Sequence, residues 1–197
     1  MWKRWFQSQP EKETEQSDEA LLPALAAGEE RAFLTVYRRR QASVFRYALH
    51  LAGDEDVAAE VVQETFLGLL RDASRLDPAR GTVVAWLFAV ARNQVLRQLR
   101  NRRRHLSLEE EGEGTFVAAG CVVAELEQEQ TSARVREVLA TLPAVYREVL
   151  VLCDMQEMTY DEVAAIAGCP TGTVRSRLHR ARALLAGKMK PLVGYSS

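Results

Sequence analysis

Arg175, Ser176, Arg177, His179, Arg180 and Arg182 stand within eight consecutive positions, and no Asp or Glu occurs from Val163 to the C-terminus. Guanidinium, imidazole and hydroxyl groups so placed can donate and accept hydrogen bonds. Breaking a covalent bond is another matter, because Ser176 and His179 share a helix with no third group to orient them. The chemistry open to this set is recognition: Arg pairs bidentately with guanine edges in a major groove, and flanking cations meet phosphates. A second set, Trp86, Asn93, Arg97 and Arg100, recurs at intervals that put an aromatic, an amide and then cations on one helix face. Such a face suits single-stranded or melting nucleic acid, where a base stacks beside an already neutralised backbone. A third set, Glu60, Gln63, Glu64 and Leu67, forms an acidic and amide face with one Leu, the make-up of a docking site for a basic partner helix.

Other chemistries lack their parts. There is no Gly-rich phosphate loop, the carboxylates of Glu109 to Glu113 fall in a run without amphipathic order, and no catalytic constellation emerges, so the chain is expected not to be an enzyme. Cys121, Cys153 and Cys169 are scattered and odd in number, and with His50, His105 and His179 they offer no metal-ligand spacing; neither metal nor cofactor is expected. Scattered thiols fit small buried hydrophobes in a reducing compartment. The longest apolar run, Val83 to Ala91, is far short of the ~20 residues a membrane span requires. The opening M-W-K-R-W-F-Q-S-Q-P is basic but has no apolar core after it, so a cytoplasmic protein without membrane insertion is expected.

The first set must be carried by two short helices. Thr159 and Glu162 have capping-box spacing, so a helix begins at Tyr160; Gly168 ends it in a left-handed conformation, and Thr171 is the expected N-cap of a second helix through about Leu185. Val174, Leu178, Ala181 and Leu185 fall on one stripe of that helix and pack against Val163, Ile166 and Ala167, leaving Ser176, His179 and Arg180 outward between Arg175, Arg182 and Arg177. This is a helix-turn-helix. Caps, turn and one-signed charge agree with one another, which separates the stretch from an ordinary solvated hairpin.

The second and third sets belong to an N-terminal half. Ser17 caps a short helix to Ala27, and Phe33, Val36, Tyr37, Val44, Ala48 and Leu51 mark the inner face of a long one ended by Gly53. Asp54 caps the next, with core stripe Val57, Val61, Phe66 and Leu69. After a loop at Asp77, Pro78 and Gly81, a helix from about Thr82 to Arg104 turns Val84, Leu87, Phe88, Ala91, Val95 and Leu99 inward and Trp86, Val90, Asn93, Arg97, Arg100 and Arg104 outward. Trp86 is expected to be partly core. Further on, Thr131 reopens helical periodicity with Val135, Val138 and Leu139, and Pro143 starts a helix with Val145, Val149 and Leu152 inward.

The 197 residues carry a formal charge of −1, but the charge is segregated. Residues 78 to 108 contain no acid, whereas residues 109 to 129 contain seven Glu and no Lys or Arg, so nucleic-acid-facing surface stands beside an acidic connector. The expectation is an all-α chain of two small helical domains, 17–104 and 131–188, joined by a flexible acidic linker, 105–130, with loose tails at 1–16 and 189–197. The first tail carries Trp2, Trp5 and Phe6.

Taken together the halves resemble the extracytoplasmic-function, or group IV, sigma-70-type factors. The likeness is carried by A-A-E-V-V-Q-E-T-F-L at Ala58 to Leu67, W-L-F-A-V-A-R-N at Trp86 to Asn93, L-P-A-V-Y-R-E-V-L at Leu142 to Leu150, M-T-Y-D-E-V-A at Met158 to Ala164 and G-T-V-R-S-R-L-H-R-A-R at Gly172 to Arg182. The resemblance implies a factor that binds RNA polymerase core, through the β′ clamp helices and the β flap, and directs it to promoter DNA. By that likeness Glu60, Gln63, Glu64 and Leu67 meet the clamp helices; the loop from about Arg75 to Val84, with Trp86, Asn93, Arg97 and Arg100, captures the non-template strand of the downstream (−10) element. Arg175, Ser176, Arg177, His179, Arg180 and Arg182 read the upstream (−35) duplex, the linker threads toward the RNA-exit channel, and an anti-sigma factor is expected. Where the family often has A-E-D-L-V-Q this chain has A-A-E-V-V-Q, with an acid missing at Ala59 and Glu60 in place of Asp. Few aromatics in the downstream helix imply limited melting power and a stringent promoter. The rival reading is a polymerase-independent helix-turn-helix regulator whose N-terminal half dimerises or senses.

Overall fold

The structure, a computed structural model, describes residues 16–109 and 137–193, with side chains placed for 16–101 and 137–188. Both expected tails apart from their inner ends, the acidic linker beyond Glu109, the Thr131 and Val135 reading, Trp2, Trp5, Phe6, His105 and Cys121 lie outside the described residues. Among the described residues every regular element is helical. A 3-10 turn, Glu19–Leu21, leads into α1 (Leu22–Ala26); then come α2 (Glu30–Ala52), α3 (Glu55–Asp72), α4 (Val83–Glu109), α5 (Ala144–Leu150), α6 (Tyr160–Ala167) and α7 (Thr171–Val193).

Local signals set most of these limits. The Ala20 amide donates to Ser17 Oγ at 3.2 Å, the Val57 amide to Asp54 Oδ1 at 2.9 Å, and Gly53 closes α2 at φ 70°. Helix α4 runs past Arg104 to Glu109, so the helix reaches into the stretch expected to be linker. Thr171 departs from its expected part. Its hydroxyl donates to Asp161 at 3.0 Å, while the Pro170 carbonyl accepts from the amides of Thr173 and Val174, so Pro170 holds the cap position of α7.

Helices α2, α3 and α4 pack as a bundle. Val36, Val44, Ala48, Val57, Val61, Phe66, Leu69, Leu87, Phe88, Ala91 and Val95 are buried as expected, while Phe33, Tyr37, Leu51, Val84 and Leu99 are half-buried at its margin. Tyr47 was missed from that list and is wholly buried, edge-on to Phe88 at 5.2 Å. In the other half Leu139, Val149, Leu152, Val163, Ile166, Val174, Leu178 and Ala181 close a smaller core. Val145, expected inward, is 44% exposed; the neighbouring position turned inward is Glu148. Helix α5 also widens into a π-type turn, Val151–Met155, in which the Gln156 amide donates to the Val151 carbonyl; the rotation brings Leu150, Val151 and Leu152 inward together.

The halves touch. Buried residues of both form one continuous apolar cluster, with α6 lying along α4 and α5 against α2. Separation into two sequence-local modules therefore coexists with a packed interface between them.

Candidate nucleic-acid interface

The turn between α6 and α7 is built as its residues require. Thr159 Oγ1 accepts from the Glu162 amide at 3.3 Å, Glu162 Oε2 accepts from the Thr159 amide at 3.0 Å, and Gly168 ends α6 at φ 64°. Val174, Leu178 and Ala181 are then held against α6 and α5, and Leu185 is half-buried. Arg175, Ser176, His179 and Arg180 are exposed, on the face away from the core.

The six candidates on α7 are not equivalent. The Arg175 guanidinium lies over the Tyr160 ring, 5.7 Å from its centroid, so the base of the face is tied to the N-terminus of α6. Ser176 Oγ donates to the Thr173 carbonyl at 3.0 Å rather than to His179, which leaves the pair without a nucleophile-base hydrogen bond. Arg177 is half-buried, with Nη1 3.7 Å from Cys169 Sγ. Arg182 is held bidentately by Asp154, Nε to Oδ2 at 2.9 Å and Nη2 to Oδ1 at 2.6 Å; hydrogen bonding and charge from Asp154 push its pKa up. Asp154 itself sits in the π-type turn, and no sequence spacing marks it as the partner of a residue 28 positions on.

On α4, Trp86 is half-buried, and its ring and Val90 pack over Gly68 of α3, where an added Cβ would meet Trp86 Cη2 at 3.6 Å. Trp86 is thus part core, as expected. Asn93, Arg97 and Arg100 are exposed on successive turns. On α3, Glu60, Gln63 and Leu67 are exposed and Glu64 is half-buried; Gln98 of α4 donates to Glu60, and Leu70 of α3 and Leu96 of α4 are exposed as well. The loop between α3 and α4 makes a 3-10 turn, Pro78–Arg80, capped by Asp77. With Trp86 it lines an open groove of about 640 Å³, whose other wall is Asp161, Glu162, Ala165 and Ile166 of α6.

Two helix starts meet at that groove. Thr82 Oγ1 accepts from the Ala85 amide at 3.1 Å, capping α4, and donates to Glu162 Oε1 at 3.1 Å, while Oε2 of the same carboxylate serves the start of α6. Burial raises the Glu162 pKa, but hydrogen bonds from Thr159 and Thr82 outweigh it, and the net displacement is downward. Elsewhere Asp18, 3% exposed, holds both Arg39 and Arg40, and Glu19 accepts from the Val83 amide at 3.1 Å. Sequence reading missed Asp18, Glu19, Glu148, Asp154 and Tyr160 because each acts on a partner distant in the chain.

Among the described residues no group of His, Cys, Asp and Glu could hold a metal ion, and no helix is long and apolar enough to cross a membrane.

The Sigma-70 region 2 family matches residues 36–105 and the Sigma-70, region 4 family matches residues 132–185. The ECF RNA polymerase sigma factor EcfG of Rhodopseudomonas palustris is 34% identical over 148 residues, covering 73% of this chain and 77% of that one. The ECF RNA polymerase sigma-E factor of Escherichia coli is 30% identical over 188 residues, covering 90% and 96%. Among solved structures, CnrH in complex with the cytosolic domain of CnrY superposes with a TM-score of 0.67 at 29% identity, covering 89% of this chain and 99% of that one. The Bartonella quintana sigma factor RpoE, in complex with the anti-sigma factor NepR, gives 0.64 at 25%, covering 90% and 95%. With both region matches in chain order and such relatives over most of its length, the chain belongs to the ECF sigma-70-type RNA polymerase sigma factors.

Proposed function

We propose that this sigma factor lends RNA polymerase core two promoter-reading surfaces and performs no catalytic step itself. Region 4 reads an upstream duplex through Arg175, Ser176, His179 and Arg180, with Arg177 and Arg182 meeting flanking phosphates. Region 2, spanning 17–104 in this reading, takes the separated downstream strand on the Arg75–Val84 loop, Trp86, Asn93, Arg97 and Arg100. Glu60, Gln63, Glu64 and Leu67 dock the β′ clamp helices, and region 4 meets the β flap. The acidic connector follows the transcript path, the factor works in the cytoplasm, and an anti-sigma partner, like the NepR bound to the RpoE relative, holds it off.

The carrying observation is the division of α7 into a dry stripe of Val174, Leu178 and Ala181 and an exposed face of Arg175, Ser176, His179 and Arg180. Reconstituted transcription with purified core tests it: the chain should confer start sites that core alone lacks. Sequence-specific duplex binding without any new start site would instead establish the polymerase-independent regulator.

A further inference from the structure

Asp154 takes hold of Arg182 on one side of the guanidinium fork. Its two oxygens accept from Nε, at 2.9 Å, and from Nη2, at 2.6 Å. An arginine carries five N–H donors, and the pair facing Asp154 leaves the adjoining edge, with one N–H on Nη1 and one on Nη2, for a second acceptor. Those two run parallel, the geometry that two oxygens of one phosphate accept together. The Arg182 side chain is 57% exposed, so an acceptor can arrive from outside the protein.

Asp154 is itself fixed by the backbone that carries it. The Gln156 amide donates to the Val151 carbonyl across the π-type turn, Glu157 reverses the chain at φ 55°, and the Met158 amide returns to the Leu152 carbonyl at 3.1 Å. Val151 and Leu152 are buried, so the turn is anchored in the core of the C-terminal half while Asp154 stands at the surface. Arg175, seven residues before Arg182 and about 10 Å back along the same side of α7, is held over the Tyr160 ring. Both guanidiniums on that side are thus held by groups outside the helix.

We propose that Asp154 is a positioning residue for duplex binding: it presents the free edge of Arg182 to a backbone phosphate, although its own charge opposes that phosphate. The inference rests on the reading of Arg182 as a phosphate contact given above. Two effects of opposite sign meet at this clasp. The carboxylate lowers the local positive charge, which weakens a long-range attraction that salt already screens. It also removes rotamer freedom that a long exposed side chain otherwise gives up on binding, so that cost falls on folding rather than on association. At hydrogen-bonding distance the second effect is the larger, because a planar fork meets a phosphate through both N–H groups only over a narrow range of orientations.

The test follows the anisotropy of a fluorescent duplex of randomised sequence, across a range of salt, with the full-length chain and its Asp154→Asn, Asp154→Glu, Arg182→Ala and Asp154→Asn/Arg182→Ala variants. Asp154→Asn makes the chain more positive by one charge, so a carboxylate that merely repels DNA predicts tighter binding and no loss of salt dependence. Positioning predicts the reverse: binding about threefold weaker, with the slope of log K against log salt shallower by up to about 0.9, the share of one phosphate. Asp154→Glu keeps the carboxylate and should stay within about twofold of the parent. Once Arg182 is Ala, Asp154→Asn should no longer weaken binding. Sequences enriched from a randomised duplex pool should be the same for the parent and Asp154→Asn, since a phosphate contact carries no base information. A changed set would mean that Asp154 holds the whole helix in place, and would overturn the assignment. Tighter or unchanged binding by Asp154→Asn, or an equal loss with Arg182 already removed, overturns it too. Unchanged affinity and slope in Arg182→Ala would instead remove the phosphate reading on which the inference rests, and start-site selection on core enzyme bears on the sigma-factor reading alone.

Discussion

Arg175→Ala separates base reading from phosphate binding on α7. The side chain is exposed and its protein contact is the Tyr160 ring at 5.7 Å, a cation-π contact worth about 0.5 kcal/mol at such a site. Alanine recovers about 0.2 kcal/mol of helix propensity, so the fold should change by less than about 0.5 kcal/mol. Loss of a bidentate base contact costs about 1–3 kcal/mol, or roughly 5- to 150-fold in affinity, confined to one base pair of the upstream element. The larger effect is therefore on reading. Transcription by reconstituted holoenzyme on a promoter library, with each upstream position varied, should show discrimination collapsing at a single position. Tyr160→Ala, which removes the platform but keeps the guanidinium, should give a smaller loss at that same position. Equal loss on every sequence, accompanied by a shallower dependence on salt, would refute base reading and make Arg175 a phosphate contact.

Exposed Gln63 and half-buried Glu64, changed together to Ala and Lys, should abolish co-purification with core polymerase while the thermal transition stays in place; retained co-purification removes the docking surface from α3. Arg97→Ala with Arg100→Ala should lower single-strand affinity on all sequences and reduce the slope of log K against log salt by about 1.4, at roughly 0.7 per phosphate contact. Because the Glu162 carboxyl is held below its ordinary value, its contribution to stability is complete above that value and is lost as pH falls through the lowered one. Thr159→Ala should cost about 1 kcal/mol at neutral pH and less in acid, read from denaturant midpoints across pH; an equal cost at both would disprove the linkage.

Much of the site was legible without coordinates because its determinants are local. Thr159 and Glu162 specify one helix start by a spacing of three, Gly168 specifies its end by tolerating φ 64°, and the period of Val174, Leu178 and Ala181 fixes which face of α7 is left for Arg175, Ser176, His179 and Arg180. The same holds for Val57, Val61, Phe66 and Leu69 against Glu60, Gln63 and Leu67 on α3. Where a reading failed, a nonlocal partner or an irregular turn was responsible. Thr171 gives its hydroxyl to Asp161, and the inward rotation that leads into the π-type turn favours Glu148 over Val145.

Periodicity along the chain thus determined the helices, their faces and the family they spell, since each depends on groups within one or two turns of one another. Only tertiary structure decided that Glu148 lies buried between Tyr47 and Arg92, 101 and 56 residues away, and that Glu162 serves the starts of two helices. A carboxylate in the sequence bears no mark of whether water or a distant guanidinium will solvate it; that is settled when the two halves meet and water leaves the surface between them.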